Sequence, residues 1–451
     1  MRSHVDPCTF VVFLHVDGAA IDGALAKELR SRIFQQGESP NELLARLPIR
    51  TQQVRFHEDY HYWQGLRLPF VYRYATLALR QATRAFTHLS RQERTYSKWD
   101  CVLPEFERMS LDMRVGRYGS HLVCGGDEAR FPAEVVEEVR ISPLDLLECA
   151  TSLAEFQVTQ EGSRTDPVVF ARWCKRNPAT LEPYKFAAAY LADPALALRC
   201  ILPLINATFH TSEPVRTFVE LLGRLWGMFS TRKDDARKFL AQPEPCRWRD
   251  LFEHLLGQLP YEAEANADGY ILGSPYHRIG LDEWVGGAIT AEDGGRLVHP
   301  FLGVQARLWT EEQRASPEMG LLMDQPAWAT AETFWRARQR FGPTLTVYRI
   351  HFDDGESRTF VSGIPDGSGF VSSGLSGASD WRGFLADFMT MYGAVRRASG
   401  AHFDEGQRTC HHKQCPHYED NFCNSYLIIP QEHPNCGFPT RIARLVDTLK
   451  N

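Results

Sequence analysis

Residues 56–61 read Phe56-His57-Glu58-Asp59-Tyr60-His61, a His-Glu-x-x-His run. In an α-helix, residues four apart lie on one face, so His57 and His61 can both offer ring nitrogens to one ion. Glu58 points about 100° away around the same turn, where it can hold a water. No other feature constrains the fold as strongly, because the arrangement works only if this stretch is helical. The chemistry it suits is hydrolysis. Zinc lowers the pKa of a water toward ~7, and an adjacent carboxylate takes the proton as the water attacks a carbonyl.

The flanking residues agree with a helix. From about residue 40 to 90 apolar positions recur at helical spacing, with Asn41 as an N-cap and Glu42 in the first turn. Pro69 breaks the pattern and separates a helix through Gln64 from a second running Phe70 to Leu89. Further along, Ser142-Pro143-Leu144 opens another helix, since Ser is a good N-cap and Pro fits the first helical position. No breaker follows through Gln157, and this helix carries Glu148-Cys149-Ala150 and Glu155.

These two segments together resemble the gluzincin metallopeptidases. In that family a later helix with Glu-x-Ala supplies the third zinc ligand. The resemblance spans residues 57–157, roughly a quarter of the chain. It implies His57, His61 and Glu148 as zinc ligands, Glu58 as general base, and Ala150 as the small residue that lets the helices pack closely. Glu155, two turns beyond Glu148 on the same side, bonds a ligand histidine from behind or exchanges roles with Glu148. Gln64, seven residues after His57, faces the metal side and bonds a carboxylate or a substrate group, or caps a buried polar contact. Asp59 departs from the family pattern, which is usually uncharged there, and is expected on the solvated outer face of the helix. The Gly-x-x-His extension of metzincins is absent, because His61 is followed by Tyr62-Trp63-Gln64-Gly65-Leu66-Arg67. Tyr60, Tyr62 and Trp63 read as packing aromatics.

A hydrolase also needs a donor for the oxyanion, and His210, Tyr276 and His277 are candidates that sequence does not rank. A di-iron carboxylate site calls for two Glu-x-x-His motifs and two more glutamates. Only Glu58-x-x-His61 fits, which disfavours a symmetric dinuclear centre.

The chain holds 11 cysteines and 16 histidines, and their positions divide the cysteines into two groups. Seven stand singly, as small apolar residues do in a reducing compartment. The other four, Cys410, Cys415, Cys423 and Cys436, gather near His411, His412, His417 and His433. Their spacings match neither a zinc ribbon nor the common ferredoxin patterns. Soft thiolates suit a second, structural zinc in preference to an iron–sulfur cluster, with His417 or His412 able to replace a cysteine. The competing reading is a loop whose cysteines only pack.

Charge narrows the partners. With 50 basic against 56 acidic residues the net charge is -6, which argues against a general nucleic-acid coat. No phosphate-binding Gly-x-x-x-x-Gly-Lys motif occurs; the Gly/Ser stretch around 363–374 reads as turns, and Arg336–Arg340 as a solvated helix face. The apolar run Thr9–Val16 is too short for a membrane span, lacks a basic leader and ends at Asp17-Gly18, so it reads as a first strand. No membrane association is expected, and a cytoplasmic location is the default.

The expected fold is mainly α with a minor β component: a helical metallohydrolase-like core and a small Cys/His-rich C-terminal region. Its segments are 1–160 with the first strand and the metal-site helices, 161–330 with further helices and a loop-rich stretch, and 331–451 with α+β structure and the cysteine cluster. Helices are expected at 167–175, 181–192, 195–207, 214–229, 247–258 and 380–398, a strand at Ser120–Cys124, and a β-hairpin through Thr344–His351 and Arg358–Val361. The function expected is a zinc-dependent peptidase or amidase acting on a peptide or protein. The alternative is a non-enzymatic interaction protein that metals only stabilise.

Overall fold

The structure is a computed structural model, and it describes residues 3–5, 11–31, 46–71, 74–75, 111–118, 121–125, 134–159, 166–173, 175, 181–231, 239–240, 247–259, 323, 346–352, 355 and 357–362. Among these the elements are, in chain order, β1 (His4–Val5), β2 (Val12–Asp17), α1 (Gly23–Ser31), α2 (Ile49–Arg67), β3 (Leu111–Tyr118), β4 (His121–Gly125), β5 (Glu134–Ile141), α3 (Pro143–Thr159), α4 (Pro167–Trp173), α5 (Glu182–Leu191), α6 (Pro194–Thr208), α7 (Pro214–Thr231), α8 (Arg247–Gly257), β6 (Thr346–His351) and β7 (Ser357–Ser362). The architecture is mainly α with two small sheets. Among the described residues no helix is long and apolar enough to cross a membrane.

Helix starts follow from local chemistry. Ser142 and Asp145 form a reciprocal cap at the head of α3: the Asp145 amide donates to Ser142 Oγ (3.1 Å), and the Ser142 amide donates to Asp145 Oδ2 (2.8 Å). Asp166 before Pro167 and Asp193 before Pro194 repeat the cap-then-proline pattern, each accepting from two backbone amides of the first turn. The start of α2 is different. It begins at Ile49 behind Pro48 with no side-chain cap, and Asn41 and Glu42 lie outside the described residues. The helix runs three residues past Gln64 to Arg67, then Leu68 turns extended (φ -85°, ψ 113°), as a residue before proline is driven to do.

The first strand and the late hairpin meet in one sheet, ordered β1-β2-β6-β7. β2 pairs in parallel with β6, while β6 and β7 form the expected antiparallel hairpin, with Gly355 at φ +82° in its turn. Asp17-Gly18 therefore ends a strand that docks on residues more than 300 positions away. Gly18 is required there, because a Cβ would lie 2.5 Å from the His351 carbonyl oxygen. The second sheet, β4-β3-β5, is antiparallel.

α2 packs on β1 and β2 and also on α3. α3 in turn contacts α5, α6 and α7, so the metal-motif helix lies between the first sheet and the helical layer. Leu14, Tyr60, Ile141, Leu153, Phe186, Leu221 and Ile350 belong to one continuous buried cluster. At roughly 25 cal/mol per Å² of apolar area, burial of this kind is the main term holding α2 and α3 face to face.

Candidate metal centre

Two helices build the site. α2 carries His57 and His61 one turn apart, and their rings sit edge to face with centroids 5.0 Å apart. α3 crosses beside it and brings Glu148 between them. Glu148 Oε2 is 3.4 Å from His57 Nε2, and its Oε1 is 3.4 Å from His61 Nε2. One ligand atom from each of the three residues lies within 4.8 Å of the others. His61 Nε2 is buried and has no hydrogen-bond partner, although it faces this carboxylate. Two imidazoles, one carboxylate and an unsatisfied buried nitrogen fit a divalent cation, and zinc suits that donor set.

The outer ring nitrogens are held separately. His57 Nδ1 lies 3.1 Å from Glu155 Oε2, and His61 Nδ1 lies 2.9 Å from Gln64 Oε1. A Gln carbonyl oxygen only accepts, so with the Gln64 Nε2 group directed to the Leu147 carbonyl oxygen (3.4 Å), His61 must donate from Nδ1. That tautomer leaves a lone pair on Nε2. Thr151, one turn before Glu155, shares its one hydroxyl proton between Leu147 O (2.9 Å) and Gln64 Oε1 (3.1 Å), and its oxygen accepts from His61 Nδ1 (3.2 Å). Glu155 and Gln64 thus support the histidines, and Glu148 stands between them. Thr151 escaped sequence reasoning. Its only signal is its place at the 148/151/155 spacing on the buried side of α3.

The electrostatics are those of one crowded carboxylate between two rings. Burial alone would lower His57, but hydrogen bonds to Glu148 and Glu155 outweigh it and push the group up to about 10. Burial alone would raise Glu148, yet the charges of His61 and His57, with the His57 hydrogen bond, outweigh it and hold the carboxyl well below the usual range. Glu58 is 5% exposed and makes no hydrogen bond among the described residues. Burial raises its carboxyl above the ordinary value, opposed by the charges of His61 and His57.

Asp59 does not lie on a solvated face. It is 2% exposed, with Arg55 Nε 3.7 Å away on the preceding turn, and Arg55 lies over the ring of Tyr348 on β6. The half-buried guanidinium of Arg55 offsets part of the cost of placing this charge in the interior. Tyr60 packs in the core as expected but also donates through its hydroxyl to the Met323 carbonyl, which accepts from Asn206 Nδ2 as well (3.0 Å). Tyr62 and Trp63 are buried.

His210 occupies the turn that ends α6. Tyr276, His277, the 380–398 helix, and Cys410, Cys415, His417, Cys423 and Cys436 all lie outside the described residues. No family model, no curated protein and no solved structure matches the chain.

Proposed function

We propose that the chain is a zinc-dependent hydrolase of the gluzincin kind, acting on peptide or amide bonds. The observation that carries this reading is the convergence of His57, His61 and Glu148 beside the buried carboxylate of Glu58. His57 and His61 would hold the ion through Nε2, with Glu148 as the third ligand. When bound, the ion supplies Lewis acidity, polarising a carbonyl and acidifying a water.

The remaining work belongs to the chain's own groups. Glu155 fixes the orientation of the His57 ring, and Gln64 with Thr151 fixes the tautomer of His61. Glu58 accepts the proton of the attacking water and returns it to the leaving nitrogen. A carboxyl raised by burial suits that task, because proton transfer is fastest when the catalytic pKa approaches the working pH.

The test is cleavage of a mixed peptide library by the zinc-loaded full chain, read by mass spectrometry. The wild type is expected to generate new termini. Glu58→Gln, which keeps the shape and removes the base, is expected to retain its zinc and lose about 10²–10⁴-fold in rate. Equal activity in the two proteins would remove Glu58 from the chemistry. A metal-stabilised interaction protein would cleave nothing in either form.

A further inference from the structure

We infer that His15 and His351 form a proton-sensitive clasp that fastens the β6–β7 hairpin to β2 and loosens in acid. His15 Nδ1 lies 3.3 Å from His351 Nε2, joining residues 336 positions apart in the chain. The ring centroids are 5.6 Å apart and the ring planes differ by 6°. The centroid separation exceeds the nitrogen separation only by the two ring radii. Both nitrogens therefore lie on the line joining the ring centres, and the rings are coplanar, edge to edge. Each nitrogen aims its lone pair or N–H straight at the other. This is the geometry of an N–H···N hydrogen bond, in which one ring must donate and the other accept.

Such a bond tolerates one added proton and fails with two. The first proton goes to an outward nitrogen, and the imidazolium then donates to the neutral ring in a charge-assisted bond. With the second, both inner nitrogens carry hydrogen, no acceptor remains, and two like charges meet head on.

The surroundings oppose that second charge. β2 and β6 alternate, so His15, Asp17, Arg349 and His351 share the outer face of the sheet. β1 adds His4, stacked on Phe13 at 5.0 Å, and α1 brings Arg30 over the ring of Phe352 at 4.3 Å. In the ladder β7 sets Ser357 beside His351 and Thr359 beside Arg349. Asp17, the carboxylate in this set, is already accepting from the Ala19 amide. Burial, then Arg349, His351 and His4, lower His15 from its ordinary value. A group depressed in the folded state leaves the unfolded chain binding more protons, so stability falls as pH drops below about 6.5 and through the folded value.

The test is hydrogen exchange on the full chain at pH 7 and pH 5, corrected for intrinsic rates, with ring titration followed by NMR. In the wild type, protection of the amides of Thr346–His351 is expected to fall about tenfold on acidification, the loss of roughly one hydrogen bond with added repulsion. His351→Gln cannot take the second charge. It should show little pH dependence of that protection, and its His15 titration should move up. Equal protection at both pH values in the wild type would overturn the clasp, as would the same tenfold loss in His351→Gln. If that variant does not fold, the wild-type titration decides: His15 below the ordinary histidine range and linked to His351 supports it, and two independent titrations at ordinary values overturn it.

Discussion

Glu148 meets both histidines with one oxygen each, while the far nitrogen of each ring is held by a different kind of group. His57 is backed by the carboxylate of Glu155, and His61 by the amide of Gln64 and the hydroxyl of Thr151. The consequence is testable on the His61 ring. Removing the support in Gln64→Ala or Thr151→Val should weaken zinc binding about 10–100-fold without abolishing it, measured by competition with a chromophoric chelator. Unchanged affinity would mean that the tautomer of His61 is set elsewhere. At this scale the sequence was informative where spacing alone carries meaning. Positions 57 and 61, and 148 and 155, declare a shared helix face whatever surrounds them. Asp59 was not legible, because its burial depends on Arg55 and on Tyr348, a residue nearly 300 positions away. Thr151 was hidden for a related reason: a lone threonine in an apolar helix announces nothing until its neighbours are in place.

Several elements with chemical punctuation were readable, although α1, capped by Asp22, was not expected, and α2, which has no side-chain cap, was read from its periodicity. Ser142-Pro143 marks the start of α3, and the expected helices at 181–192, 195–207 and 214–229 correspond closely to α5, α6 and α7. The hairpin of β6 and β7 was announced by alternation and by Asp353-Asp354-Gly355. β3 and β5 were missed, and their register explains why. Val115 pairs with Glu137 but Gly116 pairs with Val135, so Val136 is an extra residue that bulges from the ladder. A bulge breaks the two-residue period on which strand recognition depends. The parallel pairing of β2 with β6 has no local signature either, since it forms only through tertiary approach. That approach makes a prediction. Gly18→Ala places a methyl against the backbone of His351 and Phe352, and should destabilise the chain by about 1–3 kcal/mol in urea unfolding. A neutral substitution would show that the two strands are not so closely apposed.

Across the whole molecule, the sheet, α2 and α3 are successive layers, and the metal-motif helix is gripped on both sides. Arg55 with Asp59 reaches toward β6, Tyr60 bonds the Met323 carbonyl, and His57 and His61 face α3. Such a setting limits the motion of the two imidazoles, and pre-positioned ligands are what a metal site requires. The same setting concentrates three carboxylates, Glu58, Glu148 and Glu155, and two histidines in a small, partly buried volume. A divalent cation relieves that crowding by supplying positive charge without further protons.

Metal content tests this most directly. The full chain, purified from zinc-supplemented medium and dialysed against metal-free buffer, is compared by elemental analysis with His57→Ala and Glu58→Gln. His57→Ala is expected to hold one equivalent of zinc fewer than the wild type, whatever the cysteine-rich residues bind, and Glu58→Gln is expected to hold the same amount as the wild type. Equal zinc in the wild type and His57→Ala, with both folded, would contradict a metal centre at His57, His61 and Glu148.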